Sequence, residues 1–205
     1  MFKNIFRKSQ LISPEEQIAQ WEKAGKPSPP PHIIKQKAIE EFQNKFQTDT
    51  LIETGTYLGD MVEAQRNYFK QIFSIELSKK LFDRANKRFK SFPQIKILQG
   101  DSGQVLHNLI PALNKPALFW LDGHYSRGIT AKGDKECPVI NELKAIFTSP
   151  HNHIILIDDA RLFNGMNDYP AIEEISEIIK EKGRNYSVIV QDDIIRLIPN
   201  FKEYV

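Results

Sequence analysis

The chain lacks features that define several large classes of protein. Its single cysteine, Cys137, excludes a disulfide within the chain and fits a reducing compartment. No apolar run approaches the roughly 20 residues that a membrane-spanning helix needs. The 28 lysine and arginine residues nearly balance the 26 aspartate and glutamate residues, which gives no support to a large nucleic-acid-binding surface. We therefore expect a cytoplasmic protein with no transmembrane segment and no nucleic-acid partner.

The length of 205 residues suits one domain with a sizeable core. We predict that residues 1–33 are a helical, proline-rich appendage to it. Ser13 followed by Pro14 is typical of a helix start, and the proline-rich segment 27–31 predicts a stiff, extended connector. Residues 34–205 then form the main domain, and a homo-oligomer is compatible with these features.

Strand and helix signals alternate along the main domain. Apolar runs that suit strands buried on both faces lie at 50–54, 72–76, 95–99, 117–122 and 153–158. Helices separate these runs, and Asp60 with Glu63 predicts a capping box at the start of one of them. Residues 186–198 predict a closing hairpin, whose two strands must pair antiparallel. This order indicates a doubly wound, Rossmann-like α/β sheet that is mostly parallel and has a C-terminal antiparallel hairpin.

Several of the apolar runs end on carboxylates. Glu53 ends the first run, Asp122 ends the fourth, and Asp158 with Asp159 ends the fifth. Ligands bind at the carboxyl ends of strands in open α/β sheets, and carboxylates crowded there repel one another. They need a cation, a hydroxyl-rich ligand or a catalytic task. Asp122, Asp158 and Asp159 are placed to share one hard metal ion, although capping after a buried strand is an alternative for the aspartate pair.

The turns after the first three strands suggest a site for a nucleoside. Gly55 lets the backbone come close to a ligand, although a tight strand-to-helix turn alone would also need a glycine. Glu76 lies about 20 positions further on, where it can accept hydrogen bonds from ribose hydroxyls or cap the next helix. Asp101 follows the third strand, where it can meet an adenine amino group or cap the helix that follows.

These turns together resemble the class I S-adenosylmethionine-dependent methyltransferases, over about residues 48 to 200. The chain departs from the commoner Gly-x-Gly motif because Tyr57 occupies the middle glycine position. The resemblance implies that Glu53 and Gly55 flank the methionine end of S-adenosylmethionine (SAM). It implies that Glu76 holds the ribose and that Asp101 and Ser102 approach the adenine. The cofactor-binding residues implied in this way are Glu53, Thr54, Gly55, Thr56, Tyr57, Glu76, Leu77, Asp101, Ser102 and Asp122.

The fourth and fifth strand ends resemble a narrower group, the metal-dependent O-methyltransferases similar to macrocin O-methyltransferase. The resemblance implies Mg²⁺ at Asp122, Asp158 and Asp159. These relatives often carry an acid, proposed as the base, at the position that His124 occupies here. A metal-bound hydroxyl loses its proton more easily, and a histidine can accept that proton near neutral pH. Asp122 and His124 are therefore the predicted catalytic residues.

The resemblance also implies the methyl acceptor, a hydroxyl on a sugar or a glycosylated small molecule. The segment after His124 contains Tyr125, Arg127 and Lys132, which suit a hydroxylated or anionic acceptor. A plain solvated loop is an equally good interpretation of that segment.

Two other interpretations of the whole chain stay open. One is a nicotinamide-dependent oxidoreductase, although the missing Gly-x-Gly-x-x-Gly motif and the terminal hairpin argue against it. The other is a non-catalytic sugar- or metal-binding protein, which acids at strand ends do not exclude. Away from these motifs, we expect Glu142 on a helix surface, or reaching back toward the acidic strand ends, and His153 in a surface or structural role.

Overall fold

Seven strands form one mixed sheet in the computed structural model, which describes residues 12–123 and 137–200. The strands are β1 (Thr50–Thr54), β2 (Gln71–Glu76), β3 (Ile95–Gln99), β4 (Leu118–Leu121), β5 (Ile154–Ile157), β6 (Tyr186–Gln191) and β7 (Ile194–Pro199). The α-helices of the described ranges are α1 (Pro14–Lys23), α2 (His32–Phe46), α3 (Asp60–Gln65), α4 (Lys79–Arg88), α5 (Ser102–Leu109), α6 (Val139–Ile146) and α7 (Ile172–Glu181). None of these helices has the length and apolar character needed to cross a membrane.

The strand order confirms the predicted topology. Neighbouring strands run in the order β3-β2-β1-β4-β5-β7-β6. The pairs from β3 through β5 are parallel, and β7 pairs antiparallel with both β5 and β6. The chain winds outward from β1 toward β3, then returns to place β4 on the other side of β1. The β1–β4 junction is therefore the switch point at which open α/β sheets bind ligands.

Both faces of the central strands β1, β2, β4 and β5 are buried, as their continuous apolar runs predict. Successive side chains of a strand point to opposite faces. Leu51 accordingly packs into the core formed with α2, α3 and α4, and Ile52 packs into the core formed with α5, α6 and α7. Trp120 and Phe119 divide between the two cores in the same way, so β4 is buried on both sides.

The closing hairpin turns through two residues. Gln191 pairs with Ile194, so Asp192 and Asp193 form the whole turn, with φ angles of 54° and 62°. Two consecutive positive φ angles are the mark of a type I′ turn, which Asp tolerates better than most residues and which matches the twist of the flanking strands.

Some local predictions were wrong. Asp60 and Glu63 do not form a capping box, because Gly59, with φ of 82°, is the N-cap residue and makes no side-chain cap bond. The Asp60 carboxylate instead accepts a hydrogen bond from Arg88 of α4 at 2.7 Å. Glu142 is not on a helix surface, since it is 1% exposed on the sheet-facing side of α6.

The short N-terminal helix agrees with its sequence signals. Ser13 accepts a hydrogen bond from the Glu16 backbone, and the Glu16 side chain accepts one from the Ser13 backbone. Trp21 is buried and donates its indole N–H to the Pro27 carbonyl, which ties the helix to the proline-rich connector. The proposed division at residue 33 stays a prediction.

Candidate cofactor and active site

The carboxyl ends of the parallel strands meet along one edge of the sheet. The Asp122 backbone N–H donates to the Thr54 carbonyl at 3.1 Å, and the Asp158 backbone N–H donates to the Leu121 carbonyl at 3.0 Å. The strands therefore stay in register up to the acidic residues. Glu53, Asp122 and Asp158 lie at this edge, as the sequence predicts.

Gly55 lies where the ends of β1 and β4 come closest. Its φ is 85°, and its backbone N–H donates to the Ile75 carbonyl at 2.9 Å. A Cβ atom at this position would lie 2.2 Å from the Asp122 carbonyl oxygen, which is too close for any residue but glycine. The structure thus explains Gly55 by the close approach of two backbone segments at the switch point.

Glu53 is buried beneath the edge. It is 2% exposed, accepts a hydrogen bond from the Ser74 hydroxyl, and connects through Ser74 to Thr56, whose hydroxyl lies 2.6 Å from that of Ser74. Burial raises the pKa of Glu53 to about 8; the Ser74 hydrogen bond opposes this shift, and the charges of Asp122 and Glu76 add to it. Glu53 is therefore mostly protonated near neutral pH when no cation lies beside it.

Glu76 organises the two loops at the mouth of the site. One carboxylate oxygen accepts the Tyr57 backbone N–H at 2.8 Å, and the other accepts the Ser78 backbone N–H at 2.8 Å. Burial raises the pKa of Glu76, and the backbone donors of Ser78 and Tyr57 oppose that shift. Each oxygen keeps a lone pair for a further donor such as a ribose hydroxyl. The Ser78 contact also shows that Glu76 supports the start of α4.

Tyr57 explains the departure from the common glycine motif. Its φ is 50°, so the residue at the middle glycine position adopts the left-handed conformation that glycine adopts at no steric cost. Its ring is exposed and lies on the loop that follows β1. For a tyrosine this left-handed backbone conformation is strained, and its side chain adds an aromatic surface near the strand ends.

The turn after β3 has the geometry of a helix cap. The Asp101 carboxylate accepts the Gln104 backbone N–H at 3.1 Å, and Ser102 is the first residue of α5. The capping alternative for Asp101 is thus what the structure shows, and contact of Asp101 and Ser102 with adenine stays a prediction. Leu77 lies on the neighbouring loop, where its carbonyl accepts the Gln99 side-chain amide at 3.2 Å.

Asp158 and Asp159 are engaged by a lysine that the sequence analysis missed. The Lys35 ammonium lies 2.5 Å from one Asp158 oxygen and 3.4 Å from Asp159. The other Asp158 oxygen accepts the Asp159 backbone N–H at 2.8 Å. Lys35 lies in the first turn of α2. A helix that leads into β1 and packs on the sheet begins near the carboxyl ends of the strands, and this is the signal that could have identified it.

Arg161 completes the charge balance of the aspartate pair. Its guanidinium donates to Asp159 at 2.7 Å and also contacts the Asp193 carboxylate, which in turn accepts the Arg161 backbone N–H at 2.8 Å. Asp193 comes from the turn of the closing hairpin, so the hairpin helps to position the end of β5.

The predicted metal ligands do not fit a metal ion as they are arranged. Within residues 12–123 and 137–200, no three His, Cys, Asp or Glu side chains are grouped to hold one. As they are arranged, Asp122, Asp158 and Asp159 are not grouped to hold an ion, and Lys35 contacts both members of the aspartate pair while Arg161 contacts Asp159. Their role as metal ligands stays a prediction.

Thr54 and Glu142 lie behind Gly123, next to Asp122. A Cβ atom at Gly123 would lie 3.1 Å from a carboxylate oxygen of Glu142 and 3.1 Å from the Thr54 hydroxyl. The Thr54 hydroxyl is buried and has no hydrogen-bond partner in the described part of the chain. Glu142 thus reaches the site from α6. Its place within a helix indicated this position only weakly in the sequence.

The remaining predicted residues fall into two groups. His124, Tyr125, Arg127 and Lys132 lie outside the described residues, so their roles stay predictions. His153 is fully buried and accepts the Ala117 backbone N–H at 3.0 Å through Nδ1, which confirms a structural role.

Comparisons with known proteins identify the fold. No family model matches the chain. An O-methyltransferase from Bacillus cereus in complex with SAH (S-adenosylhomocysteine) superposes with a TM-score of 0.60 at 14% identity, covering 90% of each chain. A putative caffeoyl-CoA O-methyltransferase from Staphylococcus aureus gives 0.56 at 13% identity, covering 92% of each chain. The O-methyltransferase TomG from Streptomyces achromogenes in complex with SAM gives 0.56 at 13% identity, covering 94% of this chain and 93% of that one. The protein therefore has the class I methyltransferase fold.

A curated relative matches only a segment. Ribosomal RNA small subunit methyltransferase A from Dehalococcoides mccartyi (strain CBDB1) is 35% identical over 54 residues, which make up 26% of this chain. The match spans 19% of that protein's length. So short a match does not transfer that protein's activity to this chain.

Proposed function

We propose that the protein is a SAM-dependent O-methyltransferase that acts on a hydroxyl of a sugar or a glycosylated small molecule. The observation that carries the proposal is the edge formed by β1, β2 and β4 at the switch point. Glu53, Glu76 and Asp122 gather there in a class I methyltransferase fold. The sugar acceptor is supported by the sequence resemblance alone.

The residues of this edge fit SAM by their chemistry. The molecule is cationic at its sulfonium and ammonium groups, and a cation beside Glu53 would favour the charged form of that carboxyl. Glu76 has lone pairs free for ribose hydroxyls, and its two backbone hydrogen bonds hold it in place. The buried Thr54 hydroxyl supplies a further donor and acceptor. When bound, SAM supplies an electrophilic methyl group.

The acceptor side of the site would be formed by the ends of β4 and β5. Asp122 lies there, and Lys35 with Asp158 flanks it. Positioning the hydroxyl and stabilising charge are the main ways to accelerate an in-line methyl transfer. His124 as the base, and Tyr125, Arg127 and Lys132 as acceptor contacts, stay predictions in this scheme. So do a cytoplasmic location and a homo-oligomer.

A magnesium-dependent form of the reaction is the second candidate, supported by the macrocin-type resemblance. It would require Lys35 to leave the aspartate pair so that Asp158 and Asp159 could bind the ion. The arrangement of the described side chains favours the metal-free form.

Methyl transfer from isotope-labelled SAM would test the proposal. The purified protein is incubated with sugars and glycosides, and with ribosomal RNA as a comparison because of the segment match. We expect a product one methyl group heavier, with the label on oxygen by NMR. Glu76→Gln should reduce transfer strongly, whereas Glu63→Gln, a change on the surface of α3, should not. Labelling of RNA alone would contradict the proposed acceptor class, and NADH binding in place of SAM would favour the oxidoreductase interpretation.

A further inference from the structure

The ammonium of Lys35 lies beside the aspartate pair at the end of β5. Asp158 is 1% exposed, and a buried carboxylate is costly unless a cation or several donors neutralise it. Lys35, with 15% of its side chain exposed, lies against it. The Lys35 ammonium contacts both carboxylates, at 2.5 Å from Asp158 and 3.4 Å from Asp159, so the opposite charge that the aspartate pair needs lies beside it.

The position of Lys35 is held by the packing of α2. Ile39 and Phe42 of the same helix are buried in the core against the sheet. The Gln65 side-chain amide of α3 donates to the Gln36 carbonyl, one residue after Lys35, at 3.1 Å. The lysine therefore reaches the pair from a rigid element.

Lys35 and a divalent ion would compete for the same oxygen. Mg²⁺ binds carboxylate oxygens at about 2.0–2.1 Å. The ammonium nitrogen already lies 2.5 Å from one Asp158 oxygen, and the other oxygen accepts the Asp159 backbone N–H, so an ion at this carboxylate would have to displace the ammonium or lie against it. Repulsion between the ammonium and a dication would add to this exclusion.

We propose that Lys35 is the resident cation of the acceptor side and takes the place of a divalent metal ion, so that the site works without one. This role in catalysis rests on the proposed methyltransferase function, but the metal-binding property does not. Lys35 contacts Asp158 and Asp159 and holds them in their ordered arrangement, from a helix that precedes the whole sheet.

Titration of the metal-free protein with Mn²⁺, followed by electron paramagnetic resonance, tests the proposal. We expect the wild-type protein to bind Mn²⁺ only weakly. Lys35→Met removes the ammonium and keeps the length of the side chain, so it should bind Mn²⁺ on the order of a hundredfold more tightly. Lys37→Met, on the exposed face of the same helix, should behave as the wild type. If Lys35→Met does not fold, Lys35→Gln carries the same expectation.

Three outcomes would overturn the proposal. The first is tight, one-to-one binding of Mn²⁺ by the wild-type protein. The second is an unchanged Mn²⁺ affinity in both Lys35 variants. The third is methyl transfer by the wild type that is lost in chelator and restored by Mg²⁺. Failure to bind SAH would instead count against the proposed function and would leave the Mn²⁺ comparison valid.

Discussion

Glu53→Gln should change how stability depends on pH. The native pKa of Glu53 is about 8, mainly because of burial, against a value of 4.5 for an exposed glutamate. Between these values the native state holds a proton that the unfolded state has released, so stability falls as pH rises through this window. At about 1.4 kcal/mol per pKa unit, the loss between pH 4.5 and 8 amounts to at most about 5 kcal/mol.

The variant carries a neutral side chain of the same shape, whose oxygen can still accept the Ser74 hydroxyl. The free energy of unfolding of the variant should therefore lack the fall with rising pH that Glu53 causes in the wild type. The difference in the free energy of unfolding between wild type and variant should change by up to about 1.4 kcal/mol for each pH unit. Urea denaturation followed by circular dichroism between pH 5 and 9 measures it, with Glu63→Gln, at a partly exposed position of α3, as the control. A difference that stays constant with pH would refute the reasoning.

Two further predictions concern backbone geometry and acid stability. Gly55→Ala should destabilise the fold by more than about 2 kcal/mol, because its Cβ would collide with the Asp122 carbonyl. Gly25→Ala has a similar φ of 83° but open space around it, so thermal unfolding should show a loss of only about 1 kcal/mol; equal losses would contradict this reasoning. Burial lowers the pKa of His153 to about 4, so the native state resists a proton that the unfolded state accepts, and stability should fall by up to about 3 kcal/mol as pH drops from 6.5 to 4. His153→Asn keeps an acceptor for the Ala117 N–H and should weaken that dependence in urea titrations; an unchanged acid dependence would show that His153 is not responsible.

The strands could be predicted because each buried strand is a short, continuous run of apolar residues in the sequence. Leu118–Leu121 and Ile154–Ile157 are apolar at every position, as strands covered on both faces must be. The hairpin followed from two β-rich runs separated by polar turn residues. The bounds 50–54 and 95–99 were predicted as the structure has them, whereas 117–122 and 153–158 each included one flanking residue too many at both ends, and 72–76 left out Gln71.

The charge balance of the site could not be predicted from local patterns. Lys35 and Asp158 are 123 positions apart, and their contact depends on how α2 packs against the sheet. Arg161 and Asp193 likewise meet only because β7 returns beside β5. Acidic strand ends therefore indicated that a cation is needed, and the fold was required to show which group supplies it.

Calorimetric titration of chelator-treated protein with SAH tests the central claim most directly. We predict one-to-one binding without added metal. Glu76→Gln should weaken that binding by about tenfold or more, since a charge-assisted hydrogen bond contributes about 1.5–3 kcal/mol. Glu63→Gln should bind as the wild type does. The absence of SAH binding by the wild-type protein, or binding of NADH in its place, would contradict the assignment of this edge as a SAM site.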